Sequence, residues 1–147
     1  MNSMIRQGKV ESGCNRRFKA LALVWIALGL CTPIAKASIE DKTAIRCLVG
    51  EASGEGLKGM QAVGEVLRRR GTTKGFYGCN ASHIVLEPEW VIRYAKIAWE
   101  RSKTSNITNG ATHFEGNSFK RPYWAKDAIV TAVIGNQTFY KLTNKGR

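Results

Sequence analysis

An apolar run of 12 residues, 20–31 (ALALVWIALGLC), follows Arg16, Arg17 and Lys19 and precedes Pro33 and the small-residue pattern Ala35-Lys36-Ala37. A cationic head, an apolar middle and a small-residue exit are the three parts of a secretory signal peptide. The run falls short of the ~20 residues that a membrane span needs. It is therefore read as a leader removed on export, with no stable membrane insertion after cleavage. Leu30 stands where lipidation of Cys31 would want a small residue. Removing residues 1–37 from 147 leaves 110, residues 38–147, to make the fold. That is the length of one domain.

Composition adds two limits. With 44% hydrophobic and 23% charged residues, the chain is neither a disordered tract nor a multispan membrane protein. It carries 23 Lys and Arg against 11 Asp and Glu, and without the leader's six basic and one acidic residues the net charge is +7. Such a surface attracts anionic polymers: nucleic acid, acidic lipid or cell-wall glycan. Export and the absence of any RNP, zinc-finger or helix-turn-helix pattern argue against nucleic acid as partner.

The exported part keeps Cys47 and Cys79 of the four cysteines. In an oxidising compartment the two can close a loop of ~30 residues, worth ~3 kcal/mol; the alternative is a pair of buried thiols. Cys47, Cys79, His83 and His113 fit neither zinc-finger nor His-Glu-x-x-His spacing, so no metal and no cofactor is expected.

Periodicity predicts helices first and strands after. Ser38 and Asp41 resemble a capping box before a helix with Ala44, Ile45, Leu48, Val49 and Ala52 on one face. The cluster Ser53-Gly54-Glu55-Gly56 breaks it. A second helix, ending near Gly71, carries Leu57, Met60, Val63, Val66 and Leu67, with Gln61, Glu65 and Arg68 opposite. Arg68, Arg69 and Arg70 suit the negative end of its dipole. Residues 71–80 read as loop. Pro88 suits the first turn of a third helix, with Trp90, Val91, Tyr94, Ile97 and Ala98 on one face, stopping near Lys103. Aromatic and β-branched runs at 111–114, 128–134 and 137–142 read as strands, the last two joined by a hairpin at Gly135-Asn136. The class is α+β with a small antiparallel sheet.

On a wheel of ~100° per residue, Glu51 lies about a quarter turn from the centre of the first helix's apolar stripe. A carboxylate at that margin is partly desolvated, which raises its pKa, and Glu55 would push the same way if the fold brings it near. A glutamate so tuned can act as a general acid at neutral pH. The same position also suits a solvated helix residue.

The segment 44–70, AIRCLVGEASGEGLKGMQAVGEVLRRR, resembles the opening of the SleB/CwlJ cell-wall hydrolase family through Glu51-Ala52, Gly54-Glu55 and Gln61-Ala62-Val63. The resemblance resumes in Gly110-Ala111-Thr112-His113-Phe114, Pro122-Tyr123-Trp124-Ala125 and Ile134-Gly135-Asn136-Gln137-Thr138-Phe139-Tyr140. The chain departs from the family where Arg68-Arg69 stands for Asn-Arg and Gln137 for histidine. A Gln-Phe-Ser element is not recognisable between Gly75 and Glu89.

The resemblance implies a lysozyme-like domain, a monomer exported to the periplasm or beyond, that cleaves peptidoglycan glycan strands. Glu51 matches the family's catalytic glutamate. As a lytic transglycosylase it would protonate the oxygen between N-acetylmuramic acid and N-acetylglucosamine, then take the proton of the sugar's 6-hydroxyl, closing a 1,6-anhydro ring. A muramidase would need a second carboxylate, and Glu55, Glu115 and Asp127 are the candidates. Glu55 is expected to assist, either as a charge near Glu51 or as an acidic residue in the next helix's first turn. His113, Glu115 and Gln137 are expected to contact substrate. Tyr123 and Trp124 are expected as sugar platforms, because flat rings with polar tips match pyranose faces. Trp90, Trp99 and Phe139 are read as core. The alternative is a non-catalytic peptidoglycan-binding or assembly factor that keeps the fold.

Overall fold

The computed structural model describes residues 38–118 and 120–143; the leader read at residues 1–37 lies outside them. Helix α1, Asp41–Ala52, buries Ala44, Cys47, Leu48, Val49 and Ala52. The capping box does not form, since no side chain caps this helix. Asp41 instead accepts a 2.7 Å hydrogen bond from the indole N–H of Trp99, so a tertiary partner outcompetes the local one.

Helix α2, Gly56–Arg70, ends at Gly71, whose φ of 65° lets its N–H return to the Leu67 carbonyl. It is not the two-faced helix its pattern suggests. Gly59, Met60, Ala62, Val63, Gly64, Glu65, Val66 and Leu67 are all buried, because α1 packs on one side and later elements cover the rest. A helix buried all round is the central element of its domain.

Helix α3, Glu89–Arg101, starts one residue after Pro88 and turns Val91, Ala95, Ala98 and Trp99 inward. Trp90, 49% exposed, is not core, and Tyr94 and Ile97 also face outward. Apolar residues surround this helix, so periodicity alone left the choice of face open. Small alanines at 95 and 98 let α3 press close to α2 where larger side chains would hold it off. Trp99 closes the contact, with the Arg68 guanidinium 3.3 Å from its ring centre and Arg68 bonded to the Trp99 carbonyl and the Ser102 hydroxyl.

The described strands form one antiparallel sheet: β1, His113–Gly116; β2, Ile129–Ile134; β3, Gln137–Lys141. Their order is β1-β3-β2. The fold is α+β, as the sequence pattern predicts. The hairpin between β2 and β3 turns at Gly135, φ 59°, and pairs Ile134 with Gln137. Central β3 buries Gln137, Phe139 and Tyr140, and β1 is set against it with Glu115 opposite Thr138.

Cys47 and Cys79 are joined in a disulfide, which settles the thiol alternative and leaves no thiolate for zinc. It ties α1 to the short 3-10 turn Tyr77–Asn80. Reduction is expected to lower stability by about 2–4 kcal/mol, read as a shift in urea midpoint with and without reductant. An unchanged midpoint would mean that the helix and turn hold together without the bond.

Candidate active site

Cys47 and Glu51 lie one turn apart on α1, and so point the same way. Each meets one of two adjacent residues of the turn: Cys47 is bonded to Cys79, and Glu51 Oε1 accepts a 2.6 Å hydrogen bond from the Gly78 N–H. Arg46 adds a third tie, its Nε donating to the Cys79 carbonyl at 2.8 Å. The backbones approach so closely that a methyl on either Gly50 or Gly78 would overlap the other residue. Glycine at both positions is what allows a backbone N–H to reach the carboxyl.

Glu51 opens into a cleft of about 550 Å³, which Glu55, Arg70, Tyr77, His113, Glu115, Trp124 and Gln137 also line. Burial pushes the Glu51 pKa above its ordinary value; the Gly78 hydrogen bond offsets part of this, and the negative charge of Glu115 adds to it. The like charge acting on Glu51 is therefore Glu115, not Glu55 as the sequence suggested. Glu55 sits at the end of the 3-10 turn Ser53–Glu55, directly before α2. Its Oε2 accepts the Asn136 N–H at 2.7 Å, while Gly59 and Gly135 leave no room for a methyl beside it. That carboxylate pins the β2–β3 hairpin to the start of α2.

Gln137 joins the same hairpin to α1. Its Nε2 donates to the Glu51 carbonyl at 3.2 Å. Its Oε1 is buried with no hydrogen-bond partner, which is uncommon for a native polar atom.

His113 and Glu115 alternate along β1 and share a face. Burial first, and the charge of Arg70 second, hold the His113 pKa below its ordinary value, so the imidazole is neutral near pH 7. Its ring centre lies 5.2 Å from that of Trp124, which in turn meets Tyr140 edge-on at 5.5 Å. Trp124 is thus braced as a wall of the cleft.

Two expected site residues lie elsewhere. Tyr123, 93% exposed, does not line the cleft, because in the tight turn Tyr123–Ala125 consecutive side chains diverge and only Trp124 faces it. Tyr123 borders a smaller hollow of about 200 Å³ beside Asp127, so Asp127 is no second carboxylate for Glu51. Sequence reasoning missed Tyr77, Gly78 and Arg70. Tyr77 and Gly78 sit in a stretch read as plain loop. Arg70 was explained by the helix dipole, yet its guanidinium lies 4.9 Å from the Phe76 ring and borders the cleft.

Set against protein-family models, curated proteins and solved structures, the chain matches none.

Proposed function

We propose that this chain cleaves the glycan strand of peptidoglycan, as a lytic transglycosylase or muramidase, with Glu51 as the general acid. The observation that carries the reading is a partly desolvated glutamate, its protonated form favoured, fixed by a backbone N–H in a cleft large enough for sugar rings. The motif resemblance to SleB/CwlJ enzymes puts the same residue in that role. The disulfide and the leader fit work outside the cytoplasmic membrane.

Glu51 gives its proton to the oxygen between N-acetylmuramic acid and N-acetylglucosamine as the bond to the anomeric carbon breaks. Trp124 offers an apolar ring face for a sugar, and Tyr77, 89% exposed, offers a second at the rim. The neutral His113 can accept or donate one hydrogen bond to a hydroxyl or acetamido group. Gln137 lines the cleft wall, its amide tied to the Glu51 carbonyl. The sugar cation left behind is captured either by its own 6-hydroxyl, for which Glu51 suffices as base, or by water.

Incubation of the full chain with purified peptidoglycan is expected to release soluble muropeptides detectable by mass spectrometry. Binding to the sacculus without release would replace the enzyme reading with that of a wall-binding factor.

A further inference from the structure

Transfer of the Glu51 proton completes only half of a glycosidic cleavage, and the cleft contains two more carboxylates from which a base could come. Glu55 is a poor choice. Its Oε2 is spent on the Asn136 N–H, and the backbones of Gly59 and Gly135 close around its side chain, so that moving it would release the hairpin.

Glu115 differs on each count. It reaches the cleft from the sheet, whereas Glu51 reaches it from the end of α1. Its one side-chain hydrogen bond is a long 3.3 Å contact from the neighbouring Gly116 N–H, and among the described residues no ion pair engages it. Its backbone is nonetheless fixed: β1 pairs along its length with β3, and the Thr112 N–H just before it donates to the Tyr140 carbonyl at 2.9 Å. A free carboxylate on a rigid strand is well placed for chemistry. It also acts on Glu51 through space, since its charge favours retention of the Glu51 proton. Two carboxyls that enter one cleft from different elements, one hydrogen-bonded to a backbone N–H and the other without a firm partner, can divide the roles of acid and base.

We infer that Glu115 is the general base of this cleft and that water, not the sugar's own 6-hydroxyl, captures the glycosyl unit. This rests on the reading of Glu51 as glycosidic acid. The Glu51 proton passes to the bridging oxygen, which keeps the electron pair of the broken bond. A water oxygen bonds to the anomeric carbon and gives its proton to Glu115. One water is consumed per bond cleaved, and solvent returns the proton from Glu115 to Glu51. The reaction is hydrolysis, and the product has an ordinary reducing end.

The test is digestion of purified peptidoglycan by the full chain in oxygen-18 water, with products reduced at once and weighed by mass spectrometry. Expected are reducing ends carrying solvent oxygen. Glu115→Gln should lower kcat by about 10²–10⁴-fold with an unchanged melting temperature. Glu115→Ala should regain turnover in azide and yield a glycosyl azide, a product that a merely structural role could not give. Wild-type products ending in 1,6-anhydro-N-acetylmuramic acid would overturn the inference and leave Glu51 in place as acid. So would a Glu115→Gln variant working at close to the wild-type rate, or a Glu115→Ala variant that azide fails to rescue. No product from wild type would overturn the reading of Glu51 itself.

Discussion

Glu51→Gln is expected to reduce muropeptide release by about 10²–10⁴-fold and yet to give a protein that resists unfolding better than wild type at neutral pH and above. Both effects have one cause. The Glu51 pKa is raised because burial and the charge of Glu115 disfavour the ionised form more than the Gly78 N–H favours it. The proton is therefore available to a leaving oxygen, and the ionised carboxylate is costly to keep. In the unfolded chain the group titrates near its ordinary 4.5. The stability associated with its protonated form is present in full below that value and is lost as pH rises through the higher folded value. Glutamine, which still offers an oxygen to Gly78, never ionises, so the variant's advantage grows over that interval. Activity on the alkaline side follows the same titration: kcat/KM of wild type should fall as pH rises through the folded pKa of Glu51. Melting curves and rates across pH check both. A variant that loses activity and stability together, with no pH-dependent crossing of the melting curves, would make Glu51 a structural residue.

What could be read from the sequence follows from how local each determinant is. The ends of α1 and α2 and the hairpin at Gly135 depend on residues a few positions apart, and periodicity with glycine placement captured them. The marginal position of Glu51 was also legible, because the helix wheel depends only on α1. The identity of its neighbours was not. Glu115 lies 64 positions along the chain from Glu51, and the choice between it and Glu55 depends on where β1 pairs. Gly78 acts through its backbone N–H, which carries no residue-type signal. Tyr123 and Trp124 looked equivalent as adjacent aromatic residues, and only the turn that holds them sends one to the cleft and the other to solvent. Glu65, drawn on the polar face of its helix, is buried because a loop some 40 residues later folds over it.

That loop carries the largest expected effect on stability. One oxygen of Glu65 accepts the Ser105 hydroxyl at 2.6 Å and the Ile107 N–H at 2.9 Å. The other accepts the Thr108 N–H at 3.1 Å and hydroxyl at 2.6 Å, and Arg69 pairs with it at 3.2 Å. Burial alone would raise this carboxyl's pKa, but the hydrogen bonds from Ser105, Thr108 and Ile107 outweigh it and hold the pKa below its ordinary value. Glu65→Leu, which keeps the bulk and removes every acceptor, is expected to cost about 3–5 kcal/mol, because the loop's buried donors from Ser105, Ile107 and Thr108 lose their acceptors at once. The sign with pH is opposite to that of Glu51. The stability from ionised Glu65 is present above the unfolded value of 4.5 and is lost as pH falls through the lower folded value, so the gap between wild type and Glu65→Leu should narrow in acid. Urea unfolding at neutral and acidic pH measures it. A cost below about 1 kcal/mol, the scale of an exposed ion pair, would mean that water replaces the carboxylate in the loop. The same loop leads directly into β1, so at temperatures where the variant still folds, loosening it should disturb the placement of His113 and Glu115 and lower kcat/KM although Glu65 itself lies outside the cleft.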